Sequence, residues 1–216
     1  MKYLLTVTLV LMTSLTGVFA QEKSAVDVKN EAVEALKVND FKKSFELYEK
    51  AMTMMTEEEI DGAMVFNAAF CARKLENHEK AVKYYSWSEK LNYKADMSCY
   101  YVGDAYSKLG KEAEMETVLL EGIEKYKTSK YLDHMKKMVV SYYLIEGSKP
   151  YNAAGTILAG AKPTDQKELD ELIAKANEKF AEAKPWFEKA LSLIPNDERA
   201  TKPLAEIEGR LSGQIK

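Results

Sequence analysis

Residues 102–110 read VGDAYSKLG, and this stretch decides the fold of the chain. A small residue, Gly103, is followed by the aromatic Tyr106 and then by a turn signal at Gly110. Residues 115–122 (METVLLEG) continue with large and small side chains at steps of four and three, which is one face of a helix. Small side chains let two helices approach closely, and bulky ones fill the space beside them. The stretch therefore predicts two short helices packed antiparallel.

The same arrangement recurs along the chain. The pattern of the second helix begins at positions 44, 81 and 115, so the copies are 37 and 34 residues apart, and a fourth copy begins at 183. A period of this length is typical of a helical repeat array. The copies are Ser44-x3-Tyr48-x2-Ala51, Ala81-x3-Tyr85-x2-Ser88, Met115-x3-Leu119-x2-Gly122 and Ala183-x3-Phe187-x2-Ala190. The first three follow turn signals at Asn39-Asp40, Glu76-Asn77 and Gly110-Lys111, and before each turn a small residue (Ala32, Ala69, Gly103) lies mid-helix.

This pattern resembles the tetratricopeptide repeat (TPR). The resemblance implies an all-α fold, a right-handed superhelical stack of antiparallel helix pairs with an elongated last repeat and a C-terminal capping helix. Approximate repeats are expected at 25–58, 62–95, 96–129 and 131–195, with the cap at 198–212. The copies are degenerate, since none has the early Trp of the family. The elongated last repeat resembles exported TPR proteins of Bacteroides-like Gram-negative bacteria.

The last repeat departs most from the pattern. Residues 131–146 predict a first helix that ends at the turn-forming residues 147–150, which include a proline. A long helix then follows, with Thr164 as its N-cap, and Pro185 is expected to kink or break it. The path of residues 147–164 is left open by the sequence.

The first twenty residues have the order of a secretory signal peptide. Lys2 precedes an apolar run, and Val18-Phe19-Ala20 provides a cleavage site, so the mature domain is expected to be 21–216. An uncleaved N-terminal anchor is the alternative reading. Without the leader, no transmembrane anchor is expected. The expected location is the periplasm of a Gram-negative bacterium, with the extracellular space as the alternative.

Composition argues against several classes of partner and chemistry. The net charge is −3 with Lys and Glu intermixed, which disfavours nucleic acid. His78 and His134 have no second ligand at metal spacing, so neither catalysis, a metal nor a cofactor is expected. The acidic residues 57–59 are interpreted as the first turn of a helix capped by Thr56. Cys71 and Cys99 are either two buried thiols or, in an oxidising compartment, a disulfide.

The family resemblance implies a partner-binding surface on the first helix of each pair. It predicts a non-enzymatic scaffold or adaptor in the cell envelope that binds a protein or peptide on its concave face. The bound peptide or helix would carry apolar anchor residues with acidic residues beside them. A self-associating structural protein is the alternative. The candidate residues are Lys29, Val33, Leu36, Lys37, Phe66, Phe70, Arg73, Lys74, Tyr100, Asp104 and Lys108, with Ser107, Lys137, Ser141 and Leu144 as further members. For Phe66 and Phe70 the alternative is packing against neighbouring helices within the core.

Overall fold

The computed structural model describes residues 23–214, and this part of the chain is helical without any strand. The predicted signal peptide lies outside the described residues. The helices are α1 (Ala25–Lys37), α2 (Phe41–Thr53), α3 (Gly62–Lys74), α4 (His78–Lys90), α5 (Ala95–Lys108), α6 (Glu112–Lys125), α7 (Leu132–Ala159), α8 (Gln166–Leu193) and α9 (Glu198–Leu211). They pack in successive pairs, as the repeat pattern predicts, and α9 covers the last pair. None of these helices combines the length and the apolar character that a membrane span requires.

The same turn joins the two helices of each of the first three pairs. Asn39, Glu76 and Gly110 have left-handed backbone conformations with φ of 60°, 57° and 67°. The next N–H donates to the carbonyl five residues earlier, at 2.9–3.0 Å in each turn. This is the Schellman arrangement, which ends a helix and satisfies its last carbonyls. The turn signals in the sequence therefore set the antiparallel pairing locally.

Small residues lie where paired helices approach, as expected. Ala32, Ala51 and Ala69 are fully buried. At Gly103, a Cβ atom would come within 2.4 Å of the Leu119 side chain, so α5 can approach α6 only because this residue lacks a side chain. The core forms two clusters, one built mainly from α1–α4 and the other from the helices after α5. The helix α5 contributes to both.

A carboxylate, a tyrosine and a cation form a cluster at each junction between successive helix pairs, and again where α9 meets α7. In each cluster the glutamate accepts a hydrogen bond from the tyrosine hydroxyl and pairs with a Lys or Arg. The clusters are Glu49 with Tyr84 and Lys80, Glu89 with Tyr126 and Lys125, Glu116 with Tyr143 and Lys189, and Glu206 with Tyr151 and Arg210. The repeat pattern does not reveal these contacts, because their members come from different repeats.

The helix α7 does not end at residues 147–150, and the sequence-based boundary there is wrong. It continues through Pro150 for 28 residues, about 42 Å at 1.5 Å per residue. Packing against α8 on both sides of the proline explains the continuity. Gly147 lies against Trp186 and Phe187, and the Tyr151 ring is 5.6 Å from that of Phe180.

The helix α8 also differs from expectation. Its N-cap is Asp165, which accepts from the Glu168 N–H at 2.8 Å, and not Thr164. Pro185 lies within the helix, which runs unbroken to Leu193. The exposed side of α8 carries this proline, while Ala183 and Phe187 on either side of it are buried against the core.

Two further predictions are corrected or resolved. Residues 57–59 form a turn between α2 and α3, in which the Thr56 N–H donates to the Glu59 carboxylate at 2.8 Å. The cap of α3 is Asp61, so the acidic run is not a first helical turn. Cys71 and Cys99 are buried free thiols, in different core clusters, and the disulfide reading is excluded for this structure.

Candidate partner-binding surface

The predicted surface residues of α1 lie at one end of the stack and are largely occupied by internal contacts. Lys29 pairs with Asp61, and Lys37 pairs with Glu34 at 2.7 Å. Val33 and Leu36 are half-buried against the first core cluster. The Lys37 side chain is exposed, whereas Val33 and Leu36 offer only part of their apolar surface to a partner.

On α3, Phe66 was predicted as a surface anchor, and this is wrong because the side chain is only 5% exposed. Its ring packs edge-to-face on Tyr85 and Tyr93, and Lys94 covers it at 4.5 Å. Helical spacing could not reveal this, because both faces of α3 carry apolar residues and only the neighbouring pair decides which one is covered. Phe66 belongs to the core.

The next turns of α3 do reach the surface. Phe70 is half-buried, and its ring contacts the ring of Phe41 edge-to-face at 5.8 Å. The Lys74 ammonium is 5.6 Å from the Phe70 ring centre, and the Arg73 guanidinium is 5.5 Å from it. Two cations thus share one aromatic platform, an arrangement in which each cation is attracted to the ring face.

From Arg73 the contacts continue onto α5 and α7. The guanidinium lies 4.5 Å from the Tyr101 ring centre, and Tyr101 touches Tyr100 at 5.1 Å. Tyr100 then stacks on Tyr131 at 5.3 Å and approaches His134 at 5.7 Å. We call this continuous set of half-buried and exposed side chains the aromatic–cation row; its members are Phe70, Arg73, Tyr101, Tyr100, Tyr131 and His134.

The row contains three of the predicted site residues and three that sequence reasoning missed. Phe70, Arg73 and Tyr100 were assigned from repeat positions. Tyr101 was not, because it is adjacent to an assigned position, and Tyr131 was not, because it precedes the first turn of α7. His134 was considered only as a metal ligand or catalytic residue. The remaining predicted residues Asp104, Ser107 and Lys108 follow on α5, where Lys108 and Ser107 are exposed and Asp104 is half-buried.

A groove of about 370 Å³ extends the row between α5, the start of α6 and α7. Met138 and Ile145 lie in it, and Ile145 is 60% exposed. A second groove of about 570 Å³ shares Ser141 and Ile145 with the first and continues along α7 to Asn152. Of the predicted α7 residues, Lys137 and Ser141 line the first groove, whereas Leu144 is almost buried and reaches only the second.

Two buried donors at the centre of the row have no acceptor. Within the described chain, the Arg73 Nε and the Tyr85 hydroxyl are both buried without a hydrogen-bond partner. Tyr85 is fully buried and stacks on Tyr101 at 5.1 Å. Burial raises the pKa of Tyr85, and the Arg73 guanidinium opposes this effect, first by its polar contact with the phenol oxygen and second by its charge. A neutral hydroxyl and a full positive charge therefore lie together.

Nothing in residues 23–214 groups three His, Cys, Asp or Glu side chains as a metal site would. Burial raises the pKa of the Cys71 thiol, and it raises that of Cys99 to about 12. Both thiols are therefore protonated at neutral pH, which makes them poor nucleophiles. The groups that this surface presents are aromatic rings and cations.

Comparison with known proteins supports the fold. Residues 172–197 match the family model of the tetratricopeptide repeat, and this segment contains the late copy from Ala183 to Ala190. A TPR-repeat protein of Bacteroides fragilis is 21% identical, with 86% of this chain and 98% of that chain covered and a TM-score of 0.57. A search of curated proteins finds no sequence that matches the chain.

Two further solved structures are less similar. A protein of Bacteroides ovatus is 13% identical, with 90% of this chain and 100% of that chain covered and a TM-score of 0.47. YrrB, a TPR protein with an unusual peptide-binding site, is 14% identical, with coverages of 83% and 91% and a TM-score of 0.43. The family-model match and the B. fragilis structure agree with the helix pairs described above. The chain has the tetratricopeptide-repeat fold, with residues 172–197 matching the repeat in sequence.

Proposed function

We propose that this protein is a non-enzymatic interaction module that binds a segment of another protein on the aromatic–cation row. TPR-fold proteins are generally non-catalytic scaffolds, and the fold is consistent with that role. The single observation that carries the proposal is the row itself. Aromatic and Arg side chains are the residue types that dominate binding energy at protein interfaces. Here they form one continuous surface across three helix pairs, next to a groove along α7.

Capture of a partner by the purified, tagged protein tests this function. Phe70→Ala combined with Arg73→Glu removes one platform ring and reverses the central charge. The matched control, Trp87→Ala combined with Lys83→Glu, makes the same kind of change on α4. We expect a defined partner, identified by mass spectrometry, that the first variant loses and the control retains. If both variants retain it equally, the row is not its binding surface.

We also propose that the protein acts in the cell envelope. The support is the signal-like order of residues 1–20. Expression of the full chain in a Gram-negative host, followed by osmotic release and N-terminal sequencing, tests the location. The expected product is found in the periplasmic fraction and begins at Gln21. A cytoplasmic product that still begins at Met1 would contradict the proposal.

Self-association is a second candidate, and one observation on α7 favours it. Met138, Ser141, Ile145 and Ser148 are spaced by three and four residues along the two grooves. In an antiparallel pairing of two copies of α7, each large residue of this set would face a serine of the other copy. Light scattering at rising concentration tests the idea. Ile145→Glu should then convert a dimer to a monomer, and a monomer at every concentration excludes the candidate.

A further inference from the structure

The centre of the aromatic–cation row has an unbalanced charge. Arg73 makes no ion pair within residues 23–214, and neither do Lys74 on the same helix turn nor Lys94 and Lys130 at the start of the next two first helices. Each of these cations lies over an aromatic ring. Of the other cations that lie over aromatic rings in the described chain, Lys80, Lys125, Lys189 and Arg210 have carboxylate partners, and Lys83 on α4 has none.

Arg73 is the cation for which the missing partner matters most. Guanidinium cannot lose its charge at any physiological pH, and its five N–H groups are all donors. The ring of Tyr101 covers one side of it, and its Nε is shielded from water without an acceptor. Arg73 as a whole is half-buried, so its charge is partly removed from water, and an anion bound at the guanidinium would pair this charge and stabilise the complex. Carboxylates match the planar fork of Arg especially well.

No member of the row is acidic, and the neighbouring Asp104 on α5 does not fill this role. Its charge and that of Arg73 both act on Tyr100. Burial and the Asp104 charge raise the pKa of Tyr100, and Arg73 opposes them. Within residues 23–214, Asp104 forms no ion pair, and the two positive charges of Arg73 and Lys74 exceed its single negative charge.

We infer that the row recognises an Asp or Glu side chain of the bound segment, with its carboxylate seated at Arg73 and an adjacent apolar residue against the Phe41–Phe70 edge. This inference rests on the proposed function and adds the chemistry of the partner. Lys74 strengthens the attraction from the exposed side. Removal of the charge at Arg73 is expected to weaken such a segment about tenfold or more.

A random 12-residue phage-displayed library, selected on the purified protein, tests the inference without a known partner. We expect enriched peptides that carry Asp or Glu at a fixed position beside an aromatic or large aliphatic residue. One such peptide, synthesised with a fluorescein label, should bind Arg73→Gln at least about tenfold more weakly. Replacing its acidic residue by the neutral amide should produce a similar loss on the unchanged protein.

Three variants make the result interpretable. Lys74→Gln changes an exposed side chain, and it should weaken the binding of the peptide about two- to fivefold. Asp104→Asn removes the competing negative charge and should strengthen the peptide by a similar factor. Lys175→Gln removes an exposed cation of α8, far along the chain from the row, and should leave binding unchanged. Melting curves of all variants identify any change that comes from folding.

The outcomes separate this inference from the proposed function. Enriched peptides without a fixed acidic residue, or an acidic peptide that binds Arg73→Gln as tightly as the unchanged protein, would overturn the inference and leave the function standing. A library from which no peptide is enriched would contradict the proposed function as well.

Discussion

The first six helices and the last helical hairpin, α7 and α8, differ in length and in what determines where each helix ends. Each helix from α1 to α6 is 13 or 14 residues long, is terminated by a local turn or cap, and contains no proline. The helices α7 and α8 are each 28 residues long, and each contains a proline in its interior. In the first region local signals and packing agree. In the second, long-range packing overrides a local signal whose cost is about 3 kcal/mol per proline.

The two core clusters, one mainly from α1–α4 and one from the helices after α5, permit a direct comparison of how strongly the two parts of the chain depend on one another. Tyr48 and Phe187 occupy the same repeat position in the two regions and are almost completely buried. Repeat proteins gain stability from each unit and from the interfaces between neighbours. A destabilising substitution in one core cluster should therefore promote local unfolding of the helices around that cluster first.

The largest predicted effect comes from Phe187→Ala, which should lower the free energy of unfolding by about 3–5 kcal/mol. Denaturant titration measures the loss. Hydrogen exchange should accelerate in α7–α9 before α1–α4, and the buried thiol of Cys99 should react with iodoacetamide faster than that of Cys71. Tyr48→Ala is the matched variant and should show the reverse order. Equal acceleration everywhere would mean that the chain unfolds as one unit.

The second prediction concerns the interior proline of α7. Pro150→Ala restores a backbone N–H and removes a ring from the helix, and it should raise the stability by about 2 kcal/mol after the loss of unfolded-state rigidity is subtracted. Pro195→Ala, in the exposed turn after α8, is the control and should change little. Thermal melting compares the two. A destabilised Pro150→Ala protein would show that the proline itself is required for the path of the hairpin.

The third prediction separates close packing from helix propensity within the same helix. A Cβ at Gly147 would lie 2.9 Å from the Trp186 Cβ, whereas nothing lies within 4 Å of a Cβ at Gly155. Gly155→Ala should therefore stabilise the protein by about 0.5–1 kcal/mol. Gly147→Ala should destabilise it by about 1–2 kcal/mol, because overpacking outweighs the same gain. If both substitutions change the stability in the same direction, the close contact assigned between α7 and α8 at Gly147 is contradicted.

The smallest effect concerns pH and the carboxylate clusters. Burial raises the pKa of Glu49, but hydrogen bonds from Lys80 and Tyr84 outweigh this, so the folded pKa lies below the ordinary value of 4.5. The pKa of Glu206 is lowered mainly by the Tyr151 hydrogen bond. These contributions are complete above pH 4.5 and are lost as the pH falls through the folded pKa. Melting temperatures of the unchanged protein and of Glu49→Gln should thus converge between pH 7 and pH 3. A difference in melting temperature that stays constant from pH 7 to pH 3 would show that the Glu49 charge does not contribute to stability.

Several parts of the fold were accessible from local sequence. The turns at Asn39, Glu76 and Gly110 depend on residues only a few positions apart, and the prediction of helix pairs that follows from them is confirmed. The candidate site was partly accessible in the same way, since repeat positions led to Phe70, Arg73 and Tyr100. Phe66 failed because the choice between two apolar faces of α3 depends on Tyr85 and Tyr93, which belong to the next pair.

The sequence by itself determined that the chain is helical, that it repeats and where its early turns lie, because these properties follow from periodicity and from turn residues within one pair. Only the tertiary structure decided that α7 passes through Pro150. The packing of Gly147 and Tyr151 against α8 offsets the helix stability that the proline removes. The tertiary structure also decided that Arg73 lies between aromatic rings without a carboxylate. Contacts between residues of different repeats cannot be deduced from spacing along one helix.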